Sequence, residues 1–136
     1  MKLSALGLTA AAVLVAGSAL AHHSFAIFDQ TKTNYLTGTV REFEWVNPHA
    51  WVRITVADPA GKTAEWSFEA GSVAQLAALG WKKDSFKPGD QVEIGFRPMK
   101  DGSRGGQFMS AKLSDGQKVC SNRGCGDGSG KILAPF

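Results

Sequence analysis

Apolar residues at every second position predict that most of this chain forms β-strands. In the first such segment, Tyr35 to Val46, the apolar set changes from one alternating series to the other. The first series is Leu36, Gly38 and Val40, and the second is Phe43 and Trp45. One extra residue near Arg41-Glu42 would restore the alternation, so the pattern predicts a β-bulge there.

Four later segments alternate in the same way and predict four further strands: Ala50–Ala57, Thr63–Glu69, Val92–Phe96 and Gln107–Leu113. Asp58 to Gly61 is a turn sequence, so the second and third strands form a hairpin. In the fifth strand, Met109, Ala111 and Leu113 are the expected inner face. Residues 101–106 are rich in glycine and predict a flexible connection.

One segment between the third and fourth strands has the helical period instead. Ser72 and Gln75 have the spacing of a capping box, and Gly80 suits the left-handed position after a helix. Pro88-Gly89 then predicts a type II turn. Three strands, a short helix and two strands predict an all-β fold, a small five-stranded antiparallel OB-like barrel with its helix between strands 3 and 4. An open β-sandwich is the alternative.

The N-terminal residues resemble a secretory signal peptide. Lys2 supplies the charged start, residues 6–15 the short apolar run, and Ala19-Leu20-Ala21 the small-residue cleavage pattern. We expect a signal peptide at residues 1–21, one domain at residues 22–119 and a flexible tail at residues 120–136. The apolar run is shorter than the roughly 20 residues that span a bilayer, so we expect a periplasmic protein without a membrane anchor.

The net charge of the chain excludes few classes of function. The chain carries 15 Lys and Arg against 12 Asp and Glu, a formal net charge of +3. The basic residues are scattered among acidic ones, whereas a nucleic-acid surface concentrates them along one face. We therefore expect no nucleic-acid partner.

The three histidines are the candidate metal ligands. Cleavage after Ala21 would make His22 the new N-terminus, with His23 beside it and His49 as the third. A terminal amine and neutral imidazoles are suitable ligands for Cu(II) or Ni(II). The pattern predicts a copper site made by His22, His49 and His23. Under the alternative interpretation, His22 and His23 are simply solvated at a cut terminus.

His49 lies in Asn47-Pro48-His49-Ala50-Trp51, where the proline interrupts the strand pattern. A single histidine beside a tryptophan is also typical of a packed, hydrogen-bonded residue, so both interpretations stay open. Trp51 has the opposite parity from Val52, which predicts that it lies on an outer face near His49. Asn47 and Trp51 would then belong to a ligand or partner surface.

Cys120 and Cys125 are the two cysteines of the chain. In an oxidising compartment a local disulfide is expected, and a pair of thiolate metal ligands is the alternative. The acidic residues Glu42, Glu44, Glu65 and Glu69 alternate along strands and predict a solvated outer face. No arrangement of serine, histidine and aspartate and no nucleotide-binding glycine loop is recognisable, so no catalytic residue is assigned.

Several short motifs together resemble a family of small exported bacterial proteins of unknown function. They are Ala21-His22-His23-Ser24-Phe25-Ala26-Ile27-Phe28-Asp29, Gly38-Thr39-Val40, Phe43-Glu44-Trp45-Val46-Asn47-Pro48-His49, Gly80-Trp81 and Lys87-Pro88-Gly89-Asp90. The resemblance covers about residues 21–116. It implies an exported single-domain β protein without an assigned activity, and it includes all three histidines.

Two main hypotheses follow from these features. The first is a periplasmic carrier or scavenger of copper that uses the N-terminal histidine site. The second is a non-catalytic periplasmic module that binds a protein or a small ligand on the face of Trp51 and His49. An enzyme that uses bound copper for redox chemistry is a third hypothesis, and no sequence feature favours it.

Overall fold

The computed structural model of the protein describes residues 24–121. It contains mostly strands and one short helix, as predicted. The elements in chain order are a 3-10 turn (Ser24–Ile27), β1 (Asn34–Glu44), β2 (Trp51–Ala57), β3 (Thr63–Glu69), α1 (Val73–Ala78), β4 (Gln91–Pro98), β5 (Gly105–Leu113) and β6 (Lys118–Cys120). No helix within these residues has the length and apolar character needed to cross a bilayer.

Five strands close into the predicted OB-like barrel. Neighbouring strands follow the order β3-β2-β1-β4-β5, and β3 also pairs with β5. This last pairing is parallel, whereas the prediction had every pair antiparallel. The difference has a geometric cause, because an odd number of strands cannot alternate in direction all the way around a ring. The strand β6 pairs with a later part of β5.

The bulge predicted in β1 is confirmed. The pairing with β2 shifts by one residue between Val40 and Glu42, so Arg41 is the extra residue. The shift moves the inward positions from the parity of Val40 to the parity of Phe43, which packs against the core. The long strand therefore contributes side chains to the barrel interior on both sides of the bulge.

Large apolar side chains fill the barrel. Val52, Ile54 and Phe68 are fully buried, as expected from the alternation in β2 and β3. In β5 the prediction needs a correction, because Phe108 is buried and Met109 is only half-buried. Met109 is skipped where the pairing of β4 with β5 shifts, so the two halves of β5 present opposite parities to the core.

The helix α1 begins and ends as its sequence predicts. The Ser72 hydroxyl accepts a hydrogen bond from the Gln75 backbone N–H, and the Gln75 side chain accepts one from the Ser72 N–H. Gly80 has a φ of +91°, and the Trp81 N–H donates to the Leu76 carbonyl. The Trp81 indole is buried, and its Nε1 donates to the Cys120 carbonyl at 2.7 Å.

Candidate functional site

His49 lies just before the start of β2. The preceding Asn47-Pro48 peptide bond is cis. The Ala50 N–H donates to the Gly71 carbonyl at 3.0 Å, and the Ala70 N–H donates to the Ala50 carbonyl at 2.9 Å. These two bonds continue the pairing of β2 with β3 past the strand ends. His49 is thereby fixed on the same outer face as Glu69.

The side chains of His49 and Glu69 form a pair. Nδ1 of His49 lies 2.5 Å from Oε1 of Glu69. If the carboxylate accepts a hydrogen bond from Nδ1–H, Nε2 of a neutral imidazole carries the free lone pair, which is the group that can bind a metal. The His49 side chain is 33% exposed, whereas Glu69 as a residue is only 8% exposed.

The burial of Glu69 corrects the prediction that all four acidic residues lie on a solvated outer face. Glu69 pairs in register with Trp51 on one side and with Gln107 on the other, because β3 meets β5 at this point. The parallel pairing of β3 with β5 closes the barrel and is called the seam below. The seam shields Glu69, although alternation alone assigns this position to solvent.

The other three acidic residues lie farther along the outer face, as predicted. Glu65 is exposed and paired with Arg41, and Glu42 and Glu44 both contact Arg53. Hydrogen bonding to Glu44 raises the pKa of Arg53 above its ordinary value. These pairs are ordinary surface ion pairs, and among the four acidic residues only Glu69 contacts a histidine.

His49 and Glu69 line a cleft of about 540 Å³. One wall comes from the segment after β3, from Gln75 of α1 and from Leu79 just after this helix. The opposite side includes Phe108 and Gln107 of β5, and the N-terminal segment contributes Phe25 and Phe28. The cleft is therefore apolar and aromatic over much of its surface, with a few polar groups that include the His49–Glu69 pair.

The N-terminal segment is tied to the barrel at the edge of this cleft. The Lys100 N–H donates to the Ile27 carbonyl at 2.9 Å, and the Asp29 N–H donates to the Pro98 carbonyl at 2.8 Å. Phe28 between them is buried, whereas Phe25 is 58% exposed. Phe25, the second residue after His23 in the sequence, therefore lies at the cleft.

Polar side chains also hold this segment. The Gln30 amide donates to the Phe25 carbonyl at 3.3 Å and to Gln107 Oε1 at 3.2 Å. Asp29 closes a turn by accepting bonds from the Thr31 hydroxyl and the Thr31 N–H. These bonds, with a contact from Lys32, lower the pKa of Asp29 to about 2, so its carboxylate stays ionised in neutral and mildly acidic solution.

The structure describes only part of the predicted metal site. His49 lies in the cleft, and His22 and His23 lie outside the described residues. Within residues 24–121, no three His, Cys, Asp or Glu side chains are close enough to hold one metal ion. Cys125 also lies outside, so the disulfide with Cys120 and the thiolate alternative both stay predictions.

Asn47 and Trp51 lie near His49 along the chain but have other surroundings. Asn47 is exposed, and its Oδ1 accepts a hydrogen bond of 3.3 Å from the Val73 N–H at the start of α1. Trp51 is half-buried and does not line the cleft. Sequence reasoning missed two residues that the structure brings to the cleft of His49, namely Glu69 and Phe25. The only signal for Glu69 is its place at the end of β3, where a five-stranded ring must close.

Comparison with known proteins gives a family and no activity. Residues 11–110 match the model of a family described as "Family of unknown function (DUF6152)". No curated protein and no solved structure matches the chain. The matched range includes His22, His23, His49 and Glu69, and it ends within β5.

Proposed function

Because the chain belongs to the DUF6152 family, whose description assigns no activity, we propose its function from the cleft. We propose that the protein is an exported, periplasmic copper carrier or scavenger. His22 supplies its terminal amine and one ring nitrogen, His49 supplies Nε2, and His23 completes the site. The observation that carries the proposal is that Phe25 lines the same cleft as His49.

Chain length supports this arrangement. Consecutive Cα atoms are about 3.8 Å apart, so the Cα of His23 is at most about 8 Å from that of Phe25. The Cα of His22 is at most about 12 Å away by the same limit. Since Phe25 lines the cleft that contains His49, this chain length allows both histidines to approach the His49 ring.

The donor set supports copper among the available metals. It consists of an amine and neutral imidazoles, which suit Cu(II) in near-square geometry, and it contains no carboxylate bound directly to the metal. The amine exists only after cleavage at Ala21, since otherwise that nitrogen is part of a peptide bond. Export and metal binding are therefore linked in this proposal, because the signal peptidase would complete the site.

An N-terminal extension of three glycines tests the terminal chelate, because one or two added residues would place a histidine third from the terminus and create a different tight Cu(II) site. We expect the three glycines before His22 in the processed protein to lower the Cu(II) affinity by at least about tenfold, the smallest loss that changes around a metal ligand usually cause. The insertion separates the free amine from the His22 ring and leaves residues 24–121 unaltered. The affinity is measured by competition with a chelator of known strength, and mass spectrometry confirms each N-terminus.

The control for this experiment is removal of the three added glycines by an aminopeptidase, which should restore the affinity of the original protein. Equal Cu(II) affinities of the extended and the original proteins would rule out the chelate formed by the amine and the His22 ring.

A second candidate function is a non-catalytic interaction module, and the form of the cleft favours it. A volume of about 540 Å³ lies within the range of small-ligand sites. Phe25, which lines the cleft, is 58% exposed, so an apolar side chain is available to a ligand at its edge. Under this alternative, deleting His22 and His23 leaves ligand or partner capture unchanged, whereas a Phe25→Ser substitution weakens it.

A further inference from the structure

We propose that the cleft lined by His49 and Glu69 binds an organic cation, namely a protonated primary amine with an aromatic body. The ammonium group donates to the carboxylate of Glu69, and the body packs against the phenylalanine side chains of the cleft. This inference rests on the second candidate function, ligand capture at the cleft, and names the class of ligand. It depends only on side chains within residues 24–121 and on no metal ion.

Glu69 is a buried carboxylate with one oxygen left for a ligand. The residue is 8% exposed, and Nδ1 of His49 lies beside one of its oxygens, Oε1. The other oxygen, Oε2, has no hydrogen-bond partner within residues 24–121. Every fully enclosed side-chain oxygen in that part of the chain does have a partner, so Oε2 is not fully enclosed. Because Glu69 lines the cleft, a donor that enters the cleft can reach this oxygen.

The cleft offers this carboxylate no permanent cation of its own. Among the described residues that line it, none is a lysine or an arginine, and the imidazole of His49 is neutral once it has lost its proton. The other polar side chains of the lining, Gln75, Gln107 and Ser121, already form hydrogen bonds within the protein. A buried charge without a full partner is costly, so an ammonium ion in the cleft gains a charge-assisted hydrogen bond to Glu69.

The apolar part of the lining suits the body of such an amine. Phe28 and Phe108 are buried in the walls, and Phe25 is 58% exposed and open to contact. Aromatic rings pack against one another and also attract cations, because their faces carry partial negative charge. The volume of about 540 Å³ is in the range that holds a small organic molecule. An organic anion has the wrong charge for this cleft, since Glu69 repels it.

Three probes of similar shape and different charge test this class of ligand. They are phenethylamine, phenethyl alcohol and hydrocinnamate, which are a cation, a neutral molecule and an anion at about pH 8. Each is titrated into the processed, metal-free protein with excess chelator, so that the amine cannot act through bound copper. The backbone amide of Phe108 reports binding at the cleft by NMR. We expect the amine to bind at least about tenfold more tightly than the alcohol, and the anion to bind most weakly.

Two substitutions on the same strand test the role of the charge. Glu69→Gln removes the charge and keeps an oxygen that accepts from Nδ1–H of His49. We expect it to lower the affinity for phenethylamine by about tenfold and to leave that for phenethyl alcohol unchanged, which shows that the cleft is intact. Glu65→Gln is the matched control, because Glu65 is on the same face but is exposed and paired with Arg41. It should change neither affinity.

The outcomes separate the class of ligand from ligand capture itself. Equal affinities for the amine and the alcohol, or an amine affinity that Glu69→Gln leaves unchanged, would overturn the organic-cation class alone. If none of the three probes at millimolar concentration shifts the Phe108 amide, the organic-cation site and the capture of a small ligand are both wrong. Copper binding is measured separately, and its failure would leave this inference standing.

Discussion

Replacing His49 with glutamine is expected to weaken Cu(II) binding by at least about 100-fold. Loss of an outer partner of a metal ligand already costs about 10–100-fold, and His49 is proposed as a ligand itself. Its ring is the proposed donor that lies within residues 24–121, where Glu69 and the Ala50 backbone hold it. The affinity is measured by chelator competition on the processed protein.

Glutamine is the better replacement because of the buried carboxylate. An alanine at this position would leave Glu69 without its partner, at a cost of about 1–3 kcal/mol in folding stability. A glutamine amide can still donate to that carboxylate, so the barrel should stay folded. Ser121→Ala is the control, because Ser121 lines the same cleft and contributes no proposed donor. If His49→Gln binds Cu(II) as tightly as this control, His49 is not a ligand.

The second large effect is expected from Gly105→Ala, which should destabilise the barrel by about 3 kcal/mol or more. A Cβ atom at Gly105 would lie 2.3 Å from the Ser67 carbonyl oxygen, well inside van der Waals contact. That oxygen belongs to the backbone of β3, directly opposite Gly105 in the parallel pairing, so it cannot move away without opening the seam. Urea unfolding of the two proteins measures the loss.

Gly61→Ala is the matched control for this prediction. Gly61 has a φ of +83° and no neighbouring atom within 4 Å of the added Cβ, so only the left-handed backbone is penalised, by about 1–2 kcal/mol. The seam also places Glu69 beside Gln107, so we expect Gly105→Ala to weaken Cu(II) binding as well. Equal losses of stability in the two variants would show that the β3–β5 contact does not determine the stability of the barrel.

Much of the fold follows from local patterns. The bulge after Val40, the capping box at Ser72 and Gln75, and the positive φ of Gly89 all depend on neighbouring residues, and each was predictable. The direction of the closing pair was predictable in principle too. Once five strands form a ring, one pair must be parallel, but the local alternation of a strand contains no information about its distant partner.

The seam shows where local reasoning fails. Gly105 and Gly106 are typical of a flexible connection, and the structure instead places them at the start of β5. Added Cβ atoms there would lie 2.3 Å from the Ser67 oxygen and 2.2 Å from the Arg97 oxygen. Glycine is needed because two other strands approach closely at this point, a reason that appears only when the barrel is closed.

The candidate site likewise has one residue that was predictable from the sequence, His49, and one that was not, Glu69. His49 was recognisable because the chain has only three histidines, and chemistry alone suggests a shared role. Glu69 was assigned to a solvated face because its parity matches that of Glu65. The contact of β3 with β5 buries one of these carboxylates and leaves the other exposed, and that difference arises from residues far apart in sequence.

The most direct test of the copper function is a Cu(II) titration of the exported, processed protein, followed by electron paramagnetic resonance. Mass spectrometry on the same sample establishes whether His22 is the N-terminus. We expect one tight site with several nitrogen ligands, which is lost in His49→Gln and retained in Ser121→Ala. Weak or multiple Cu(II) binding to a protein with a confirmed His22 terminus would contradict the copper function.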